Sequence, residues 1–445
     1  MGFHASVNGV VDGLPPGPTR PPWFQALGWA LRPTALLREC EREFGEIFTL
    51  RGLVRTDGMP YVFVSRPEVI KAIATADRDV LRAGAARGSD LFEPVFGPSS
   101  ILLLDGAKHL RQRKLMLPPF HGERMKSYGE LITTETERRM AAWPRDEPFA
   151  LQEEFQHITL DVILRAVFGF DTGPALAEAR EHIQRWLHML ASPAAMVPFI
   201  RENFGPGRAW SPLARTRDRI YASLYALIAE RRTDPHVDER DDVLSMLIGA
   251  RDENGEPMTD DELRDELMTL LLAGHETTAT AMAWAVELLL AHPDKLDALR
   301  ADLPHGDEYL NAVIHETMRL RPPIPLFDRM VCEPVEILGY RIPVGTVLAC
   351  NIVSAQRRED VYPRALEFLP ERFLDDPPET YAWIPFGGGV RRCLGAAFAM
   401  YEMRIVLRML FERTEPRAVD LQPSHYSRRA IVLGPRSQAR VTLAA

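Results

Sequence analysis

Four cysteines are spread along the 445 residues, Cys40, Cys332, Cys350 and Cys393, and none stands in a CxxC pair. One of them is set apart by its neighbours. In Phe386-Gly387-Gly388-Gly389-Val390-Arg391-Arg392-Cys393-Leu394-Gly395 three glycines let the backbone bend tightly and approach another group closely. A helix is expected to begin at about Leu394, so the Cys393 sulfur can accept backbone N–H bonds and feel the positive helix end. Those features favour thiolate over thiol, and a thiolate is a strong iron ligand. Arg391, two residues earlier, can reach an acidic group on the same ligand. A glycine turn before a buried cysteine would explain a bare Gly-Gly-Gly-Cys, but not the complete ten-residue pattern.

A second constellation is Ala273-Gly274-His275-Glu276-Thr277-Thr278, inside the most apolar stretch of the chain. Glu276 and Thr277 are poor choices for a buried apolar helix unless something there uses them. A mid-helix threonine can bond its own i−4 carbonyl, and Gly274 removes bulk so that a flat ligand can approach. His109 and Arg113 sit four apart on one helical face and can donate to the same anion, although Lys108, Arg111 and Lys114 around them also suit a solvated basic helix. Glu316 and Arg319 form an i,i+3 carboxylate–guanidinium pair that spacing alone does not distinguish from Glu39–Arg42 or Glu135–Arg138.

The elements that must position these groups are mostly helical. A proline-stiffened lead-in over residues 1–22 is followed by helix to about Phe44 and strand-like runs at Ile47–Leu53 and Tyr61–Ser65. Helix dominates from Pro67, interrupted by apolar loops at Gly84–Ser100 and Ser192–Pro212, the latter carrying Phe199, Phe204 and Trp210. The longest helix is predicted over 259–291, opened by a Thr259–Glu262 capping box and closed by Pro293. After residue 330 short strands follow (Val335–Leu338, Gly345–Leu348), then proline corners and a helix from about Leu394 to Glu412. The expectation is one large, mainly α domain over 1–445 with a minor β region.

Composition narrows the function classes. With 46% hydrophobic and 26% charged residues the chain is globular, and a net charge of −9 argues against non-specific nucleic-acid binding. Four unpaired cysteines do not make a disulfide scaffold, which suits a reducing compartment. His275, Glu276 and Glu287 interrupt the apolar stretch 267–291, so a buried helix is expected there and not a membrane span. The opening MGFHAS fits an N-myristoylation pattern, but no polybasic segment follows it directly.

The cysteine segment resembles the ligand loop of the cytochrome P450 superfamily, matching Phe-x-x-Gly-x-Arg-x-Cys-x-Gly at every fixed position. The resemblance spans essentially the whole chain and implies a P450 fold enclosing haem b, with Cys393 as axial thiolate, Phe386 packed near the sulfur and Arg391 on a haem propionate. It further implies His109, Arg113 and Arg329 as propionate contacts, and Ala273 and Gly274 beside the haem. Thr277 would hydrogen-bond the dioxygen being activated or its water, and Glu276 would deliver protons. Glu316, Arg319 and Arg372 (in Pro370-Glu371-Arg372-Phe373) would form a structural triad.

By the same resemblance Phe92, Val95, Phe96, Ala273, Ile324, Leu326, Phe327 and Ile431 are candidates to line an apolar substrate pocket for a terpenoid, steroid or fatty-acyl compound. The expected activity is oxygen insertion from O2 into that substrate, in a monomeric, cytoplasmic, bacterial-type enzyme without an N-terminal anchor or fused reductase. Electrons would come from a separate ferredoxin or flavodoxin with its reductase, docking on a basic surface made by Lys108, Arg111, Lys114 and Arg392. The alternatives are a peroxygenase, isomerase or dehydratase on the same fold, and a non-catalytic haem sensor.

Overall fold

The computed structural model describes residues 11–53, 58–76, 78–87, 92–120, 122, 124–170, 174–191, 211–374, 379–420, 424–429 and 431–444. The MGFHAS segment and most of the aromatic stretch Ser192–Pro212, with Phe199, Phe204 and Trp210, lie outside the described residues.

The elements that build the site are, in chain order, strands β1 (Ile47–Leu50), β2 (Tyr61–Val64) and β3 (Leu81–Arg82), then helices α1 (Gly106–Met116), α2 (Arg124–Met140), α3 (Leu151–Ala166), α4 (Asp260–Ala291) and α5 (Glu308–Leu320). Strands β4 (Leu326–Val331) and β5 (Val347–Asn351), helix α6 (Ala396–Arg413) and the hairpin β6 (Tyr426–Arg429) and β7 (Val432–Pro435) complete them. The expected mainly helical fold with small sheets is what forms.

Helix α4 spans 32 residues because both ends are specified and its middle is enclosed. The Thr259 hydroxyl accepts the Glu262 N–H at 3.2 Å, and the Glu262 carboxylate accepts the Thr259 N–H at 2.9 Å. Asp260, Asp261 and Glu262 place negative charge on its positive end. Beyond the first turn it is apolar on nearly every face, the pattern of a helix surrounded by protein. It packs against α3, α5, α6 and β7, and Leu267, Met268, Leu271, Met282 and Trp284 are fully buried.

A five-stranded sheet runs in the order β1-β2-β5-β4-β3, with β2 parallel to β5 and the other pairs antiparallel. Strand β4, which carries Leu326, Phe327 and Arg329, pairs with β5 through Leu326 opposite Asn351 and Arg329 opposite Leu348. The period-two signal of β4 is broken by Asp328-Arg329, so the strand is stabilised by its partners and not by its own pattern. The apolar loop expected at Gly84–Ser100 contains two short helices, Ala83–Arg87 and Glu93–Phe96. The second has Pro94 in its first turn, where a missing N–H is harmless.

Candidate active site

The cysteine loop is held by backbone geometry. Gly387 and Gly389 have φ of +66° and +63°, and a Cβ on Gly389 would lie 2.0 Å from the Ala74 carbonyl oxygen. A Cβ on Gly388 would lie 2.7 Å from the Tyr381 ring. The glycines therefore allow close approach to the helix Pro67–Thr75 and to Tyr381, as well as the turn itself. The Cys393 N–H donates to the Phe386 carbonyl at 3.0 Å, closing the loop, and α6 begins three residues later at Ala396.

Cys393 is exposed, although many protein atoms crowd around its sulfur. Burial raises its pKa above the usual thiol value, and the Gly395 N–H, Arg113 and Arg392 only partly counter this.

Beside the loop lies a concentration of positive charge. His109 is 1% exposed and its Nδ1 has no hydrogen-bond partner. Its pKa is pushed down to about 3 by burial and by Arg391, Arg113, Arg87 and Arg329, so the ring is neutral at ordinary pH. Arg391 donates to Ile101 O at 2.9 Å, to Leu104 O and to Asp105 at 2.7 Å, and burial with Arg87 nearby lowers its pKa to about 9. Arg329 is 4% exposed, donates to Asp328 O at 2.7 Å, and has no ion pair among the described residues. Arg113 donates to Arg392 O at 2.9 Å and lies close enough to Cys393 to feel its charge. Four arginines here face only two nearby carboxylates, Asp105 and Asp328.

The middle of α4 has its own opening. Ala273 is exposed and Glu276 and Thr277 are half-buried, while Leu271, His275 and Thr278 on either side are buried. The Thr277 hydroxyl donates to Ala273 O at 2.6 Å, the i−4 bond expected of a mid-helix threonine. Glu276 lies 3.1 Å from Arg429 of β6 and accepts from Gln156 of α3 at 2.7 Å. Burial raises the Glu276 pKa, with Arg429 and Gln156 opposing it in part. A Cβ on Gly274 would lie 3.0 Å from Ile163 Cδ1, so its missing side chain also lets α3 and α4 approach closely. Leu270 and Leu272, just before Ala273, and Leu394, next to the cysteine, pack on one apolar cluster. The α4 midpoint and the cysteine loop thus border the same cluster.

Glu316, Arg319 and Arg372 do meet. Arg319 donates to Glu316 at 2.6 and 2.8 Å, Arg372 donates to the same carboxylate at 3.1 Å, and the Leu369 N–H adds a bond at 2.8 Å. Glu316 and Arg319 are both 0% exposed. Gln356 links this knot to the cysteine side: its Nε2 donates to Arg319 O at 3.1 Å, and its Oε1 accepts the Ile384 N–H at 2.8 Å.

The cytochrome P450 family model matches residues 15–438. This chain belongs to the cytochrome P450 family. Among curated P450 relatives, the putative cytochrome P450 137 of Mycobacterium tuberculosis is 41% identical over 436 residues, 96% of this chain and 91% of the relative. The putative cytochrome P450 135B1 of Mycobacterium bovis is 38% identical over 441 residues, covering 97% and 92%. A solved structure of retinoic acid-bound cyanobacterial CYP120A1 matches with a TM-score of 0.83 at 24% identity, over 97% of this chain and 99% of that one. The heme domain of cytochrome P450DA matches at 0.82 and 20% identity, over 98% of each chain. At those identities the two structures show the P450 fold alone. P450s are haem-dependent monooxygenases, and this chain is one of them.

The residues present suit haem. An excess of buried guanidinium beside a neutral His109 with an unpartnered Nδ1 suits a dianion, and the Cys393 thiol and Ala273 of α4 are both exposed. The pocket candidates are placed less uniformly. Phe92 and Phe96 stack at 5.9 Å, and Val95 and Phe96 are buried in the cluster holding Leu267 and Leu271 of α4. Phe327 comes within 3.9 Å of where a Gly387 Cβ would sit. Ile324 is half-buried, Leu326 packs on the separate cluster around Trp29, and Ile431 is 36% exposed between β6 and β7. Gln156, Arg429, Arg87 and Asp105 carry no signal in the sequence that marks them as site residues. They are scattered over the chain, and only the fold brings them to Glu276 and Arg391.

Proposed function

We propose that this P450 hydroxylates an apolar small molecule of terpenoid, steroid or fatty-acyl type, with electrons from a separate ferredoxin or flavodoxin and its reductase, in the cytoplasm. The observation that carries the reading is the pairing of an accessible, loop-held Cys393 with a helix opening at Ala273 and Thr277, flanked by uncompensated arginines. Cys393 would hold the iron, and His109, Arg113, Arg329 and Arg391 would hold the propionates. When bound, haem supplies the oxygen chemistry, inserting one atom of O2 into a C–H bond and releasing the other as water.

The protein's own groups handle the protons. Glu276, with its pKa raised by burial, holds a proton more readily than an exposed glutamate, and Arg429 and Gln156 fix its carboxylate. The Thr277 hydroxyl, anchored to Ala273 O, stands one residue away as the relay to the open face. Phe92, Phe96 and Phe327 would exclude water and present the substrate. Phe327→Ala is expected to change the product profile while leaving haem content unchanged.

The visible spectrum of the dithionite-reduced, carbon monoxide-bound protein tests the ligand assignment. A strongly red-shifted Soret band in wild type and its loss in Cys393→Ala are expected; a band indifferent to Cys393 overturns it. Turnover under labelled dioxygen tests the reaction, since only oxygen insertion carries label into product.

A further inference from the structure

Away from the cysteine loop, a cleft of about 680 Å³ opens where α4, α5 and the loop 364–369 meet. That volume is in the range of sites for small organic ligands. Leu288, on its α4 wall, is eleven residues beyond Thr277, about 16 Å along the same helix, so the cleft is separate from the active site. Its lining is lopsided in charge: Arg38, Lys295, Arg321, Arg357 and Arg364 against Asp294 and Glu367. Both carboxylates are already engaged, Asp294 with Lys295 at 3.2 Å and Glu367 with Arg364 at 3.5 Å.

The deeper cations are Arg321 and Arg357. Neither has an ion pair among the described residues, and each has a buried Nε without a hydrogen-bond partner. Both donate to the Tyr426 hydroxyl, at 3.4 Å from Arg321, so two like charges converge on one oxygen. The Tyr426 hydroxyl also lies 3.1 Å from Leu320 O, and although, against burial, Arg357 and Arg321 lower its pKa, even an ionised Tyr426 matches only one of the two charges. The C-terminus of α5, whose Leu320 carbonyl also accepts from Arg357, supplies only about half a negative charge. One guanidinium is thus left uncompensated in a half-enclosed site, an arrangement that favours an anion. Around it the walls are apolar, from Leu288, Leu320, Leu366, Phe368 and Leu369.

We propose that this cleft binds a small amphiphilic anion, its phosphate or carboxylate head on Arg321 and Arg357 and its apolar body along Leu288, Leu320 and Phe368. A bidentate anion would add a charge partner beside the two guanidiniums, and Trp284, with Arg321 5.1 Å above its ring, reports on the event.

The test uses the full-length, haem-loaded protein with octyl phosphate, octanoate and octan-1-ol as probes, followed by calorimetry and tryptophan fluorescence. Octyl phosphate or octanoate is expected to bind saturably, more weakly as salt rises, and the better of the two identifies the head group. Arg321→Gln is expected to weaken it about tenfold or more, and the rim variants Arg38→Glu and Arg364→Glu about threefold each. The rim side chains are exposed, so these variants provide the test if Arg321→Gln does not fold. Octan-1-ol binding equally well, or octyl phosphate binding that is indifferent to Arg321, Arg38 and Arg364, would overturn the proposal. Binding that shifts the haem spectrum and ignores these arginines would show the active site to be the only receptor, and would overturn it equally.

Discussion

At Gly389 a positive φ and a neighbouring carbonyl act together. The left-handed backbone disfavours any side chain, and the Ala74 oxygen stands where a Cβ would go. Gly389→Ala is expected to cost about 3 kcal/mol or more, seen as a lower unfolding midpoint and reduced haem content. A wild-type midpoint would mean that the loop does not lie against Ala74. Glu402 is a different kind of residue: 1% exposed, with Oε1 unpartnered, its pKa is pushed up to about 8 by burial alone. The folded protein therefore keeps a proton that the unfolded chain releases above its ordinary value of 4.5. Stability from this group is full below that value and is lost as pH rises through about 8. Between pH 5.5 and 8.5 the loss should reach about 3 kcal/mol, and Glu402→Gln should remove that part of the slope in urea titrations. An unchanged slope would locate the titration elsewhere.

The decisive element contact is α3 on α4. A Cβ on Gly274 would lie 3.0 Å from Ile163 Cδ1, so a methyl group there would crowd that side chain. Gly274→Ala should lower stability by about 1–2 kcal/mol, and Ile163→Val in the same chain should recover much of it, because Val lacks the Cδ1 that clashes. Additive losses in the double mutant would contradict this packing. The α5 knot obeys a different rule. Glu316→Ala would leave Arg319 buried without its charge partner, and a loss of about 3–5 kcal/mol in unfolding free energy is expected. Because Gln356 joins that knot to Ile384, the same variant should also loosen the cysteine side, visible as faster haem release.

Across the molecule, net charge and local charge differ. The chain carries −9 overall, yet a basic surface near Cys393 was expected from Lys108, Arg111, Lys114 and Arg392. In the fold Arg111 is held by Asp252 at 2.6 Å and Glu262 at 2.9 Å, and Lys114 is paired with Glu253. Lys108 and Arg392 are exposed and have no ion pair among the described residues. The basic patch is therefore smaller than its sequence suggests. If an acidic redox partner docks there, Lys108→Glu and Arg392→Glu should weaken electron transfer about threefold to tenfold at low ionic strength, with the effect fading as salt is added. Lys114→Glu should do much less. Partner titrations that rank Lys114 with the other two would refute this division.

By itself the sequence determined the features that depend on local order: the Thr259–Glu262 cap, the length of α4, and a glycine-cysteine pattern specific enough to identify the family. These are legible because capping, helical period and tight turns involve residues close together in the chain. Tertiary structure alone decided what depends on burial and on distant partners. Arg429 and Gln156 reach Glu276 from 153 and 120 positions away, and Asp105 reaches Arg391 across 286. Ile163 lies beside Gly274, and burial raises the Cys393 pKa against the Gly395 N–H, Arg113 and Arg392. Desolvation and long-range pairing depend on which surfaces the folded chain encloses, so they emerge only once the elements are packed.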